Sequence, residues 1–331
     1  MKFLDLFAGI GGFRLGMESA GHECIGFCEI DKFARASYKA IHDTRGEIEL
    51  HDITAVSDES IRRIGRVDII CGGFPCQAFS IAGNRRGFED TRGTLFFEIA
   101  RFASILRPRY LFLENVKGLL NHDGGATFET ILGALDELGY NVEWQNINSK
   151  NFGVPQNRER VFIIGHLRGE RTRRIFPLSG TGRKVDKHQE QSTNTLTTRY
   201  PNSQGVGSYI IESESQKVRS IGNIHPSGNG MNGAEAEVGD SVNLSHPNSK
   251  TRRGRVGKKI ANTLLTGESQ GVVDPDFRIR KLTPRECWRL QGFPDWAFDK
   301  AQEVNSNSQL YKQAGNSVTV NVIAAIAKEL E

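Results

Sequence analysis

The sequence predicts an open, mostly parallel α/β sheet accompanied by a smaller, loop-rich unit, and three observations support this. Short apolar runs at Phe3-Leu4-Asp5-Leu6-Phe7, Cys24-Ile25-Gly26-Phe27-Cys28, Val67-Asp68-Ile69-Ile70 and Tyr110-Leu111-Phe112-Leu113 alternate with helix-like stretches. That alternation is the signature of a sheet covered on both faces. Glycine-marked loops follow the first and third runs, the positions where such sheets bind ligands. Between Phe176 and Phe277 the chain has no Phe or Trp, only Tyr200 and Tyr209, so this part has little capacity for a core of its own.

Length and composition set ordinary bounds. The 331 residues are 37% hydrophobic and 25% charged with 36 glycines, a globular profile rich in turns. No run is apolar enough to span a bilayer, and Met1-Lys2 leads directly into the first strand without a signal pattern. A cytoplasmic, reducing setting is expected. Five cysteines (Cys24, Cys28, Cys71, Cys76, Cys287) show neither Cys-x-x-Cys pairs nor a His cluster at metal spacing, so neither a disulfide framework nor a metal site is expected. The net charge of +4 permits a polyanionic partner, and basic clusters at Arg85-Arg86, 171–174 and 252–259 can meet phosphates or serve as solvated loops.

The first strand runs into Ala8-Gly9-Ile10-Gly11-Gly12-Phe13 and then a helix opening at Arg14, a geometry that brings backbone N–H groups to a ligand. The second ends at Glu29-Ile30-Asp31, where an acidic group is placed to accept from ribose hydroxyls; Asp31 can instead cap a helix over 32–40. Residues 71–80, Cys-Gly-Gly-Phe-Pro-Cys-Gln-Ala-Phe-Ser, leave the third strand. Gly72 and Gly73 permit a tight turn, and Pro75 restricts Phe74 before Cys76. A cysteine so presented can be a nucleophile or a buried small hydrophobe. A mobile, basic loop is expected at 80–92, then a helix over 94–106 stopped by Pro108.

Glu114-Asn115-Val116 leaves the strand at Tyr110, and a further helix is expected over 126–138. Strands over 142–147 and 160–164 flank Gln156-Asn157-Arg158-Glu159-Arg160, where alternate arginines share one side of an extended chain. They can clamp a phosphate or carbonyl, or pair with nearby acids. Asn194-Thr195-Leu196-Thr197-Thr198 recurs as Asn262-Thr263-Leu264-Leu265-Thr266. Thr283 and Pro284 can open a helix, and Val318, Val320, Val322, Ile323 and Ile326 mark a terminal helix that docks back on the core.

Taken together, these ordered blocks resemble the DNA cytosine-5 methyltransferases. The resemblance rests on residues 5–13, Gly73-Phe74-Pro75-Cys76-Gln77, Glu114-Asn115-Val116, 156–160, Arg280-Lys281-Leu282-Thr283-Pro284-Arg285-Glu286 and Gln313-Ala314-Gly315-Asn316-Ser317-Val318. It implies a Rossmann-like methyltransferase domain at 1–175 completed by 311–331, a target recognition domain at 176–279, and a hinge and connecting segment at 280–310. S-adenosylmethionine is the implied cofactor, held by Phe7, Ala8, Gly9, Gly11, Gly12 and Phe13, with Phe13 against adenine, Glu29 on the ribose hydroxyls and Asp52 near the adenine amino group; Ile30 and Ile53 are implied to bind it too. Pro75, Leu95, Asn316 and Val318 are implied further contacts.

The resemblance also implies that Cys76 adds to C6 of a flipped-out cytosine in double-stranded DNA, that Glu114 engages N3 and the exocyclic amino group, and that Arg160 contacts O2. Arg158 is expected to support the catalytic loop and the flipped nucleotide's backbone. A bacterial or phage monomer, partnered in function with a restriction endonuclease, is the expected setting. Two other readings stand beside it: methylation of cytosine in transfer RNA, and a non-catalytic DNA-binding regulator, which would be expected to lack Cys76, Glu114 or the glycine loop. A dinucleotide oxidoreductase fails on the glycine spacing.

Overall fold

The computed structural model describes residues 1–75, 95–180, 236–244, 256–267, 270–273 and 279–330. Cys76, the basic loop that follows it and the first Asn-Thr-Leu segment lie outside these residues. The chain opens with β1 (Lys2–Leu6), α1 (Gly12–Ser19), β2 (Glu23–Cys28), α2 (Lys32–Ile41) and the short β3 (Ile48–Leu50). It continues through α3 (Asp58–Ile64), β4 (Ile69–Gly73), α4 (Leu95–Leu106), β5 (Tyr110–Val116), α5 (Ala126–Glu137), β6 (Tyr140–Asn148) and β7 (Glu159–Leu167). Among the described residues these strands form one sheet in the order β3-β2-β1-β4-β5-β7-β6. Only β7 runs against the others, antiparallel to both β5 and β6.

Strand order reverses between β1 and β4, which pair in parallel from Phe3↔Ile69 to Leu6↔Gly72. From that point the chain is laid outward in both directions, so the loops leaving β1 and β4 diverge and open a crevice. Alternation along β1 sends Leu4 and Leu6 into the core shared with α4 and α5, and Phe3 into the core shared with α1. The second core is completed by α9 (Val320–Ala327), whose Val322, Ile323 and Ile326 are fully buried. Each such side chain contributes about 1.5–3 kcal/mol over leaving it in water. The terminal helix therefore docks on the first one, as its apolar pattern predicts.

Two differences from the sequence expectations bear on the site. Gly72 and Gly73 lie inside β4 rather than in a turn, paired with Leu113 and Glu114 of β5. Likewise Glu114 and Asn115 belong to β5, opposite Phe162 and Val161 of β7. Both strands reach further than their apolar runs because the sheet hydrogen bonds continue where the hydrophobic pattern stops.

Beyond the sheet, β8 (Ser241–Asn243), β9 (Val256–Gly257), β10 (Gln270–Val273) and β11 (Ile279–Lys281) form a small antiparallel sheet. Its core is Ala236, Val242 and Val273, as small as the aromatic-poor sequence there implies. The 280–310 segment is more built than a connector: α6 (Pro284–Leu290) and α7 (Asp295–Gln302), joined by α8 (Asn307–Asn316), bury Trp288, Phe293, Phe298 and Leu310 together with Ile10, Ile41 and Leu264. No helix among the described residues is long and apolar enough to cross a membrane.

Candidate active site

The loop after β1 turns sharply, with Phe7, Gly9 and Gly11 all at positive φ. Gly11, at φ +84°, has the His42 imidazole where a Cβ would stand, so no other residue fits there. The Gly9 N–H donates to Glu29 Oε2 (2.8 Å) and the Asp31 N–H to Oε1 (2.8 Å). One carboxylate thus ties the loop after β1 to the loop after β2. Burial raises the Glu29 pKa, although both N–H donors favour the charged form.

Of the two acids leaving β2, Asp31 is the helix cap. It accepts from the Phe33 and Ala34 N–H groups and pairs with Lys312 at 2.7 Å. Between them Ile30 stands 67% exposed, a large aliphatic side chain at the crevice rim, and Phe7 is half-buried. Asp52, also half-buried, accepts from the Thr54 N–H and hydroxyl. The floor is made by Gly12, where a Cβ would fall 2.8 Å from Val318 Cγ2 and 2.9 Å from Ser317 Oγ. Asn316 is exposed at the end of α8, and Leu95 is half-buried at the start of α4.

Two of the expected cofactor contacts sit deeper than the rest. Phe13 is 3% exposed and packs edge-on to Phe112 with centroids 5.0 Å apart, while its Cε2 lies 3.8 Å from where a Cβ on Gly73 would stand, so the ring is a core side chain with an edge toward the end of β4. On that loop the half-buried ring is Phe7. Ile53 also turns its side chain into the core, while its carbonyl accepts from Arg101 at 3.0 Å.

At the end of β4, the missing side chain of Gly73 makes room for Glu114, whose Oε2 lies 3.2 Å from where a Cβ would be. Arg160 Nε sits 3.0 Å from Glu114 Oε1, and its Nη1 donates to the Glu159 carbonyl at 2.8 Å. Burial raises the Glu114 pKa, with Arg160 and Arg158 pulling the other way and losing. The carboxyl is therefore suited to holding a proton beside a cation. Glu159 points away and pairs with Lys117 at 3.1 Å, as strand alternation predicts.

Arg158 is buried, and its guanidinium donates to the carbonyls of Gly315 (3.1 Å), Ser317 (2.8 Å) and, more weakly, Leu264 (3.4 Å). It holds those backbone segments two residues from Arg160, and its charge also acts on Glu114. Pro75 is exposed and closes the described part of the catalytic segment. Sequence reasoning assigned no role to Asn115, whose Nδ2 donates to the Phe74 carbonyl at 2.9 Å and so anchors the chain two residues before Cys76. Its place directly after Glu114 was the available signal. Ser317 was likewise quoted only as part of a block, yet it walls the crevice.

Comparison with known proteins gives the family. The profile of the C-5 cytosine-specific DNA methylases matches residues 1–331. The type II methyltransferase M.HpaII of Haemophilus parainfluenzae is 42% identical, over 99% of this chain and 88% of its own. M.HhaI of Haemophilus parahaemolyticus is 36% identical over 99% and 93%, and the orphan methyltransferase M.SPRI of Bacillus phage SPR is 34% identical over 100% and 97%. The fold is shared with a solved putative DNA modification methyltransferase from an Escherichia coli prophage, at TM-score 0.61 and 20% identity over 99% and 98% of the two chains. Profile, full-length relatives and fold together place this chain in the C-5 cytosine-specific DNA methylase family, as a DNA (cytosine-5-)-methyltransferase.

Proposed function

We propose that this enzyme methylates cytosine at C5 within a short DNA sequence through a covalent adduct with Cys76, taking the methyl group from S-adenosylmethionine. The observation that carries the reading is the buried Glu114–Arg160 pair opposite Gly73, at the end of the strand that leads to Cys76. The crevice fits the cofactor in kind: an exposed Ile30 and half-buried Phe7 offer apolar surfaces for adenine, and Glu29 offers carboxylate lone pairs to the ribose hydroxyls. When bound, the cofactor supplies an electrophilic sulfonium methyl.

Cytosine C5 is a weak nucleophile, so the Cys76 thiolate first forms a bond to C6. Glu114 shares its proton with N3 and accepts from the exocyclic amino group, while Arg160 donates to O2, which stabilises the electron-rich ring. C5 then takes the methyl group. Loss of the C5 proton to a base expels Cys76 and restores both the aromatic ring and the thiolate. Attack on the faces of the ring requires the base to leave the helix stack.

The division of labour follows the chain: residues 1–175 with 311–331 for catalysis and cofactor, 176–279 for reading DNA, and 280–310 for joining the two. The type II relatives motivate a restriction-modification setting with a companion endonuclease, and one chain carries every group the reaction needs. Incubating a diverse duplex library with enzyme and S-adenosylmethionine, followed by bisulfite sequencing, tests the reading. Protected cytosines in one short context, absent with Cys76→Ala, are expected. A folded, cofactor-binding enzyme that protects no cytosine would overturn it.

A further inference from the structure

Between β6 and β7 the chain makes a buried knot that the chemistry above does not use. Residues 155–158 run beside 261–264: the Ala261 N–H donates to the Pro155 carbonyl (2.7 Å) and the Asn157 N–H to the Ala261 carbonyl (2.8 Å). Thr263 Oγ1 donates to the Asn157 carbonyl at 2.7 Å. The fully buried Gln156 accepts from the Leu264 N–H at 3.1 Å and, with its other end, donates to the Leu290 carbonyl at 2.8 Å. Arg158 repeats the pattern two residues on, joining the Leu264 carbonyl to those of Gly315 and Ser317.

Three regions meet at this knot. Arg158 is two residues from Arg160 in the base pocket, Ser317 walls the crevice, and 261–264 belongs to the unit that reads DNA in the function proposed above. A buried amide satisfied at both ends specifies one geometry, because any shift leaves a buried N–H or carbonyl unpaired. We propose that Gln156 is a positioning residue that fixes the returning segment 261–265 of the recognition unit against the base pocket, so that sequence discrimination depends on it. The inference rests on the DNA-reading role of that unit.

The test compares Gln156→Met and Thr263→Val with Tyr140→Phe. Tyr140 is equally buried and donates its hydroxyl to the Pro108 carbonyl at 2.8 Å, away from the knot. Each variant is assayed for kcat/KM on the cognate duplex and on duplexes with one base pair changed in the recognition sequence. Affinity for S-adenosylhomocysteine and thermal midpoint are measured alongside. Gln156→Met and Thr263→Val are expected to narrow the cognate-to-altered ratio about tenfold, the scale of one base-pair contact, with cofactor-product affinity kept within about twofold. Tyr140→Phe is expected to lower the midpoint without narrowing the ratio.

An unchanged ratio in folded Gln156→Met overturns the proposal, as does equal narrowing in all three variants. Should Gln156→Met fail to fold, Thr263→Val decides by the same criterion. Failure of the underlying reading is separately visible, since the wild-type enzyme would then protect no cytosine in DNA.

Discussion

Glu114 sits in a strand, shielded from water, with an arginine on one oxygen and a glycine opposite the other. Its raised pKa means that the proton needed at N3 is retained to higher pH than on a free glutamate, so kcat/KM should fall as pH rises through that value. Glu114→Gln is expected to cost about 10²–10⁴-fold in rate and to remove that descending limb. A Gln variant with the wild-type pH profile would show that another group sets it. Asp5 presents the stability counterpart. It is fully buried, accepts from the Tyr38 hydroxyl at 3.3 Å, and leaves Oδ1 without a partner. Burial raises its pKa well above the ordinary value against the pull of Arg14. The folded chain therefore keeps this proton after the unfolded chain has lost it, and stability falls as pH rises from about 4 through the folded value. The midpoint of Asp5→Asn relative to wild type should accordingly climb with pH across that range. A flat difference in calorimetry from pH 4 to pH 8 would rule this account out.

At the scale of elements, helix starts were the most legible features. Asp31 caps α2 and Thr283 closes a reciprocal box with Glu286 at the start of α6, each where the sequence placed it. Asp31→Ala should cost about 1 kcal/mol through the lost cap, read as a lower denaturant midpoint. Burial opposes ionisation of Asp31, but Lys312 and the helix N–H groups win and hold its pKa below the ordinary value. This contribution is therefore present above the unfolded pKa and is lost as pH falls through the folded one. Strand ends were less legible, because Gly72, Gly73, Glu114 and Asn115 carry no apolar pattern and are fixed by pairing across the sheet. β3 and α7 were not anticipated: the first is three residues long, and the second has its apolar Ala297, Phe298 and Ala301 among charged neighbours.

For the whole molecule, the open parallel sheet was legible from alternating runs and glycine loops, while the reversal between β1 and β4 emerges only from the strand order. The pairing of Glu114 with Arg160 and the packing of Phe13 on Phe112 were not legible, since each depends on which strand lies beside which. Phe13 was named through the family blocks, and its place one residue into α1 sets its ring edge-on to Phe112. The knot around Gln156 was hidden for the same reason, as its partners are more than a hundred residues away. The docking of α9 on α1 has a consequence for how the enzyme comes into being. Ser317 and Val318, which wall the crevice beside Gly12, stand some three hundred positions along the chain from the loop they close. The glycine loop therefore stays half-enclosed until two distant stretches have folded onto each other, and a chain in which either comes loose loses one wall of the crevice with it.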